Sequence, residues 1–303
     1  MTTPTLDPHR RREVDNLLEY LASRPWPDGM AEARAHYDAM GDPIGEDIDV
    51  TPVSIHGVPA QILEPPAFDA DRALLYLHGG GYVYGSLVSH AHMVGELARA
   101  GRCRALQLDY RRAPEHPYPA AVEDACSAYR FLLEQGYAHD RIVFIGDSAG
   151  GGLVLCTLIA LREARMALPA AAVCLSPWVD LLATGESYRT RVGVDPLVQR
   201  KVVDEVSSLY LNGQDPKTPT ASPIYADLRG LPPLLIQVGE REILFSDSEM
   251  LAEKARAAGV EVTFEEWPEM VHVWHLHYQR LSDGHAAIAR IGRFVIEKTG
   301  EHS

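Results

Sequence analysis

Short runs of β-forming residues alternate with longer amphipathic stretches along most of the chain. Strands separated by helical stretches predict a mostly parallel sheet with crossover helices. The middle runs are continuously apolar, which predicts helices on both faces of the sheet. The first two runs can form an antiparallel pair. The pattern predicts an α/β fold with an eight-stranded sheet, whose strands are VTPVSIHG, PAQILEP, ALLYLHGG, RALQLDY, IVFIGDS, AAVCLSP, PLLIQVG and VEVTFEEW.

Two regions interrupt this alternation, residues 1–45 and residues 181–220. We predict that they form a helical cap over the carboxyl edge of the sheet, leaving residues 46–180 and 221–303 as the α/β core. The first region has apolar residues at helical spacing, which favours a docked helix over a loose terminal arm. These residues are Val14, Leu17, Leu18 and Leu21.

Charge and composition narrow the class of protein. The 303 residues carry a formal net charge of −14, with an isoelectric point near 5.3. Such a surface repels nucleic acid and anionic membranes, so neither is an expected partner. No stretch reaches the ~20 apolar residues of a spanning helix, and the N-terminal stretch lacks the apolar run of a secretory signal. We therefore predict a cytoplasmic protein.

The cysteines give no sign of a disulfide framework. They lie in apolar stretches that are predicted to be helices or strands, and no two of them form a CxxC pair. We therefore expect buried free thiols. The four are Cys103, Cys126, Cys156 and Cys174.

Residues 146–150, GDSAG, match the pattern GxSxG. The motif follows the run IVFIG and opens a helical stretch, which is the strand-turn-helix context of a nucleophilic serine. Gly146 and Gly150 flank Ser148 at the positions where strand and helix must approach closely. The helix N-terminus behind Ser148 favours developing negative charge. Ser148 is the predicted nucleophile.

Residues 78–82, HGGGY, follow the strand ALLYL. Successive glycines after a strand leave backbone N–H groups free to face a substrate, which indicates an oxyanion hole. No GK[ST] follows, so a phosphate-binding loop is disfavoured. Together with the N–H of Ala149, the glycine amides of this loop could hold the carbonyl oxygen of a tetrahedral intermediate.

Together these motifs resemble a known family. HGGGY, then DYRRAPEHPYPAAVED, then GDSAGG and a late histidine are similar to the hormone-sensitive-lipase-like group of α/β-hydrolases, whose bacterial members are carboxylesterases. The resemblance covers residues 74–273. It implies Ser148 as nucleophile, His272 as general base, Gly80, Gly81 and Ala149 as oxyanion donors, and residues 109–124 as a structural segment near the site.

The identity of the triad acid is open. In this fold the acid follows the serine and precedes the histidine, usually in the loop after the penultimate strand. The family resembled here usually has Asp in a motif like DPLxD, whereas this loop reads EREIL from residue 240. Matching Ile243-Leu244 to Pro-Leu selects Glu242. Asp247 is the rival, although Ser246 and Glu249 around it suggest a helix capping box; Glu240 is the next alternative.

Further histidines surround the predicted base. His275 and His277 raise the question of a metal site, but there is no HExxH and no carboxylate at ligand spacing, so satisfied or surface roles are expected. His78 could brace the oxyanion loop through a ring hydrogen bond. We expect no cofactor.

The predicted reaction is two-step acyl transfer on a small ester. Aromatic residues near the motifs favour a moderately apolar pocket for short to medium acyl chains. A lactone hydrolase would use the same triad, an amidase is a further alternative, and a non-catalytic ligand-binding receptor is disfavoured by the presence of the histidine. A homodimer through the edge run VEVTFEEW is also plausible. The aromatic residues are Tyr82, Tyr84, Trp178, Tyr188, Tyr210 and Trp274.

Overall fold

The computed structural model describes residues 8–300, which contain one eight-stranded sheet. The order across it is β1-β2-β4-β3-β5-β6-β7-β8. The pairs β1/β2 and β2/β4 are antiparallel and the other neighbours are parallel, which confirms the predicted, mostly parallel sheet with an antiparallel first pair. The strands are β1 (Asp49–Ile55), β2 (Val58–Glu64), β3 (Ala73–Leu77), β4 (Arg104–Leu108), β5 (Ile142–Asp147), β6 (Ala171–Leu175), β7 (Leu234–Gly239) and β8 (Val262–Trp267).

Helices cover both faces of this sheet. On β3, Leu75 and Leu77 face a core built with α4, α5 and α8, whereas Leu74 and Tyr76 face α3 and α9. Successive side chains of a strand point to opposite faces, so an apolar run is buried throughout only when both faces are covered. The helices in this part of the chain are α1 (Pro8–Ala22), α2 (Met30–Asp38), α3 (Leu87–Gly101), α4 (Ala120–Glu134), α5 (Ala149–Glu163), α6 (Ser187–Thr190), α7 (Arg200–Leu211), α8 (Phe245–Ala257) and α9 (Ser282–Lys298).

The predicted docked helix near the N-terminus is present as α1. Its residues Val14 and Leu17 are 2% and 1% exposed, because they pack in a cluster with Met270, Val271 and Trp274. These three residues flank His272. The helix thus supports the loop that carries the predicted base.

The segment between β6 and β7 contains α6 and α7, and α7 lies over the loop that follows β3. A Cβ atom on Gly81 would be 3.0 Å from Cγ2 of Val206 in α7. This contact brings α7 to the carboxyl edge of the sheet. Residues 181–220, which contain α7 and were predicted to be part of a cap, are called the cap segment. The ends of the predicted domains, residues 1–7 and 301–303, lie outside the described residues.

The outer strands of the sheet are β1 and β8. The run VEVTFEEW is therefore an edge strand, as predicted. Of the helices found in residues 8–300, none has both the length and the apolar character needed to cross a membrane.

Candidate active site

Ser148 occupies a sharp turn between β5 and α5. Its backbone has φ 53° and ψ −122°, a region that side-chain-bearing residues rarely adopt. The turn is held because the Ser148 amide donates to Leu175 O at 2.8 Å and the Ser148 carbonyl accepts from Trp178 N at 2.9 Å. The predicted strand-turn-helix context of the serine is thus confirmed, and the side chain remains partly exposed.

The glycines on either side of Ser148 are required by close backbone contacts. A Cβ on Gly146 would lie 2.4 Å from Gly150 O, and a Cβ on Gly150 would lie 2.0 Å from Leu77 O. Real Cβ atoms do not approach oxygen so closely. The same contacts bring the turn beside the end of β3, where the HGGGY loop begins.

The HGGGY loop is tied to the serine turn through Asp147. Gly79 N donates to Asp147 Oδ1 at 2.8 Å, the Tyr76 hydroxyl donates to the same oxygen at 2.5 Å, and His90 Nε2 lies 3.3 Å from Oδ2. Burial alone would raise the pKa of Asp147, but His90 and Tyr76 favour its charged form and the net pKa is lowered. The sequence analysis missed this role, although Asp147 directly precedes Ser148.

His78 braces the loop as expected. Its Nδ1 lies 2.8 Å from Gly79 O, and its ring stacks on Tyr110 with centroids 4.2 Å apart. The Tyr110 hydroxyl donates to His78 O at 2.8 Å, so the segment from residue 109 contacts the loop. Burial lowers the pKa of His78 to about 3, with His90 adding to the effect. A neutral ring can donate from Nδ1 to the Gly79 carbonyl.

The predicted oxyanion donors lie in two adjacent pieces of backbone. Gly80 and Gly81 have φ of 108° and 62°, in the left-handed region that glycine adopts without strain. Ala149 is the first residue of α5. The link from Gly79 to Asp147 joins the two pieces.

The carboxylate that contacts His272 is Glu242. Its Oε2 lies 2.8 Å from His272 Nδ1, and its Oε1 accepts from the Ser176 hydroxyl at 2.6 Å and from Gly239 N at 2.5 Å. Glu242 is fully buried and His272 is 8% exposed. Burial raises the pKa of Glu242, whereas the donors from His272, Ser176 and Gly239 favour its ionised form.

His272 responds to this environment in the direction that a base requires. Burial alone would lower the pKa of His272, but the hydrogen bond and charge of Glu242 outweigh it, so the pKa is raised. With Nδ1 directed at Glu242, Nε2 is the ring nitrogen left to take a proton.

Ser176 is a second residue that the sequence analysis missed. It follows β6 with a φ of 47°, donates from its hydroxyl to Glu242, and accepts from Val273 N at 3.2 Å. Leu175, its neighbour in the chain, accepts from Ser148 N. Ser176 therefore connects the serine turn with the acid and the histidine loop. Its only sequence signal is its place directly after a buried strand.

The other two acid candidates bond elsewhere. Glu240 Oε2 accepts from Glu269 N at 2.9 Å. Asp247 Oδ2 accepts from Val179 N at 2.9 Å and from Asp180 N at 3.0 Å.

The predicted capping box at α8 was wrong. The helix begins at Phe245 after Leu244, without a side-chain cap. The Ser246 hydroxyl instead accepts from Ser187 N at 2.9 Å, and Glu249 is exposed. Tertiary contact with the cap segment replaced the local hydrogen bonds that the sequence suggested.

The histidines after His272 are buried. His275 Nε2 lies 2.8 Å from Gln237 Oε1, and burial lowers the pKa of His275 to about 3 and that of His277 to about 4. The ring of His275 is therefore hydrogen-bonded through Nε2, whereas its buried Nδ1 has no partner among the described residues, so the expected satisfied role is met at one nitrogen only. Over residues 8–300 no group of three or more His, Cys, Asp or Glu side chains is arranged to hold a metal ion.

Aromatic residues pack in the core beside the HGGGY loop. The rings of Tyr82 and Tyr210 stack at 3.7 Å, and Trp178 lies 6.1 Å from Tyr82. All three are at most 3% exposed. With Val206 against Gly81, α7 and these rings restrict the space beside the loop.

Comparison with known sequences supports a family assignment. Residues 74–276 match the family described as alpha/beta hydrolase fold. An acetyl-hydrolase from Streptomyces hygroscopicus is 51% identical over 78% of this chain and 79% of its own length. An esterase from Acinetobacter venetianus is 32% identical over 82% of each chain.

Comparison with solved structures supports the same family assignment. An esterase from the bacterial hormone-sensitive lipase family superposes with a TM-score of 0.93 at 46% identity, covering 98% of this chain and 100% of that one. The esterase EstE5, in a crystal soaked with p-nitrophenyl butyrate, gives 0.92 at 44% identity over 97% and 99% of the two chains. The chain therefore belongs to the α/β-hydrolase fold family, in the hormone-sensitive-lipase-like group of bacterial carboxylic-ester hydrolases.

Proposed function

We propose that this carboxylic-ester hydrolase acts on short to medium acyl esters through a covalent acyl-enzyme formed on Ser148. The observation that carries the proposal is the 2.8 Å contact between His272 Nδ1 and the buried carboxylate of Glu242, beside a strained serine turn. A buried carboxylate at Nδ1 orients the ring and stabilises the imidazolium that forms when Nε2 takes a proton.

In the first half-reaction, His272 Nε2 accepts the hydroxyl proton of Ser148 while Oγ bonds to the ester carbonyl carbon. The carbonyl electron pair moves to oxygen, where the amides of Gly80, Gly81 and Ala149 donate to it. Collapse of this intermediate breaks the bond to the alcohol oxygen, which leaves with the proton from His272.

In the second half-reaction, water takes the place of the alcohol. His272 accepts a proton from the water as its oxygen bonds to the acyl carbon. The second tetrahedral intermediate collapses to a carboxylic acid, and Ser148 Oγ recovers the proton.

Two observations support a short to medium acyl chain. Val206 and the stacked pair Tyr82 and Tyr210 restrict the space beside the oxyanion loop. The relative that is 51% identical is named an acetyl-hydrolase, and EstE5 crystals were soaked with a butyrate ester.

The test combines a substrate series with a nucleophile variant. We expect p-nitrophenyl esters of two to about six acyl carbons to be hydrolysed faster than longer ones. Ser148→Ala should retain less than about a hundredth of the wild-type kcat with an unchanged melting temperature. Ser127→Ala, which removes a hydroxyl on α4 that donates to Glu123 O within its own helix, is the matched control.

Labelling distinguishes the outcomes. A fluorophosphonate should modify the wild type at one site per chain and leave Ser148→Ala unmodified. Retained activity in Ser148→Ala would remove this residue from the mechanism. Faster turnover of a lactone panel than of open-chain esters would overturn the substrate assignment.

The proposal also covers the domain organisation, the oligomeric state and the cellular location of the protein. Residues 1–45 and 181–220 would form the cap over a core of residues 46–180 and 221–303. A homodimer would form through the free edge of β8. A cytoplasmic location is compatible with the four cysteines, which are all buried and free.

A further inference from the structure

The residue after Glu242 is held at both of its backbone polar groups by side chains from the cap segment. Ile243 N donates to Asp195 Oδ2 at 2.9 Å, and the Ser187 hydroxyl donates to Ile243 O at 2.5 Å. Asp195 and Ser187 are 48 and 56 residues away in sequence and are each 2% exposed. The two peptide units that flank the Ile243 Cα are thus each bonded to the distant segment, so this part of the backbone cannot shift independently of that segment.

Asp195 is itself fixed by its own segment. Its Oδ1 accepts from Leu197 N at 2.9 Å and from Val198 N at 3.0 Å, which leaves Oδ2 for Ile243. One oxygen of the carboxylate therefore accepts from its own segment and the other accepts from Ile243 N. An amide side chain has a single oxygen and can accept in only one of these two places.

Ser187 is fixed by a reciprocal pair with α8. Its hydroxyl accepts from Ser246 N at 3.0 Å, and its own amide donates to the Ser246 hydroxyl at 2.9 Å. The Ser187 hydroxyl proton is thereby directed at Ile243 O.

We propose that Asp195 and Ser187 are positioning residues, which set the loop carrying Glu242 so that its carboxylate meets His272. This inference rests on the proposed function, because it assigns the two residues to the support of that triad. It makes the cap segment a part of the catalytic geometry in addition to a cover for the pocket.

Asp195 also has an electrostatic effect that Ser187 lacks. His272 is faced by the carboxylates of Glu242, Asp195 and Asp147, and by the ring of His275 on its own loop. The charge of Asp195 adds to the effect of Glu242 in raising the pKa of His272. Removing that charge should therefore move the acid limb of the pH–rate profile to lower pH.

The experiment compares Asp195→Asn and Ser187→Ala with Asp204→Asn, measured on p-nitrophenyl butyrate. Asp204 lies in the same segment, is exposed, and pairs with Arg200 of its own helix at 2.8 Å. Rates are expressed per active site counted by fluorophosphonate labelling at completion. A purely structural role lowers the number of active sites and the melting temperature, whereas a positioning role lowers kcat per labelled site.

We expect kcat per site to fall about 10-fold to 100-fold in Asp195→Asn with little change in KM, and its acid limb to move to lower pH. Ser187→Ala should lower kcat less and leave the limb in place, because no charge is lost. Asp204→Asn should match the wild type in both measurements.

Unchanged kcat per site in both test variants would overturn the inference. So would a loss that appears only as fewer active sites. If Asp195→Asn does not fold, Ser187→Ala decides the question on kcat per site alone. A wild type that does not hydrolyse esters, or that keeps its activity in Ser148→Ala, would instead overturn the proposed function.

Discussion

The carboxylate of Glu242 is buried and accepts from three hydrogen-bond donors, none of which is an arginine or a lysine. They are the ring of His272, the hydroxyl of Ser176 and the amide of Gly239. Burial raises the pKa of Glu242, and these contacts oppose that effect by favouring the ionised form, whose charge stabilises an imidazolium. A glutamate can thus take the position for which the resemblance in sequence had implied an aspartate.

Glu242→Gln should lower kcat by about 10²-fold to 10⁴-fold while preserving side-chain volume. His272 acts as a base only when neutral, so kcat/KM falls as the pH decreases through its pKa. Glu242 raises that pKa, and its replacement should move the acid limb to lower pH. A pH–rate profile on a butyrate ester measures both effects.

Glu240→Gln is the control for this prediction, since Glu240 bonds to Glu269 N and lies in the same loop. It should keep nearly the wild-type rate. If Glu240→Gln or Asp247→Asn slows the enzyme more than Glu242→Gln does, another carboxylate is the acid.

The carboxylate of Asp247 links helix α8 to the backbone directly after β6. Asp247, in its first turn, is fully buried and accepts from the amides of Val179 and Asp180. A helix-dipole contact at the surface is worth only about 0.3–1 kcal/mol. The observed burial makes Asp247 a tertiary link whose contribution to stability depends on its protonation.

Burial raises the pKa of Asp247 to about 8, so the folded protein binds this proton more tightly than the unfolded chain does. The resulting stabilisation is complete below the unfolded pKa near 3.8 and is lost as the pH rises through about 8. The free energy of unfolding of the wild type, relative to Asp247→Asn, should therefore fall by at most about 1.4 kcal/mol per pH unit over this range.

Urea unfolding at about pH 5, 7 and 9 measures this difference. Glu253→Gln, an exposed position on the same helix, should show no such trend. A constant difference between the wild type and Asp247→Asn across the range would contradict the prediction.

At the level of the whole molecule, the free edge of β8 leaves a row of backbone groups without a strand beside it. Leu234 N donates to Glu261 O, and alternate residues of a parallel strand bond to its neighbour. The amides of Val262, Phe264 and Glu266 therefore face outward. Such an edge can be extended by a second copy.

If a dimer forms through this edge, light scattering should give a mass about twice 33.4 kDa. The outward amides of β8 should then exchange hydrogen slowly, and faster on dilution. The opposite edge strand, β1, should exchange at a rate independent of protein concentration. A monomeric mass at every concentration, or fast exchange on β8 in a dimer, would exclude this interface.

Several features of the molecule could be predicted from local sequence because their causes are local. The side-chain periods of strands and helices let the buried faces be identified from the spacing of apolar residues. The need for glycine at Gly146 and Gly150 arises from close contacts around a single turn. The order of serine, acid and histidine in this fold restricted the acid to a short loop, in which Glu242 was the preferred candidate.

The contacts that hold these residues were decided by tertiary structure. Ser176 and Glu242 are 66 residues apart, and Asp195 is 48 residues from Ile243. Neither pair has a periodic or spacing signal, since a loop side chain acquires its partner only when the strands before it are placed side by side. The capping-box error has the same cause, because Ser246 found a partner in Ser187 that no reading of its neighbours could reveal. Local sequence therefore specified the chemical groups and their turn, and packing between distant segments determined which carboxylate reached the histidine.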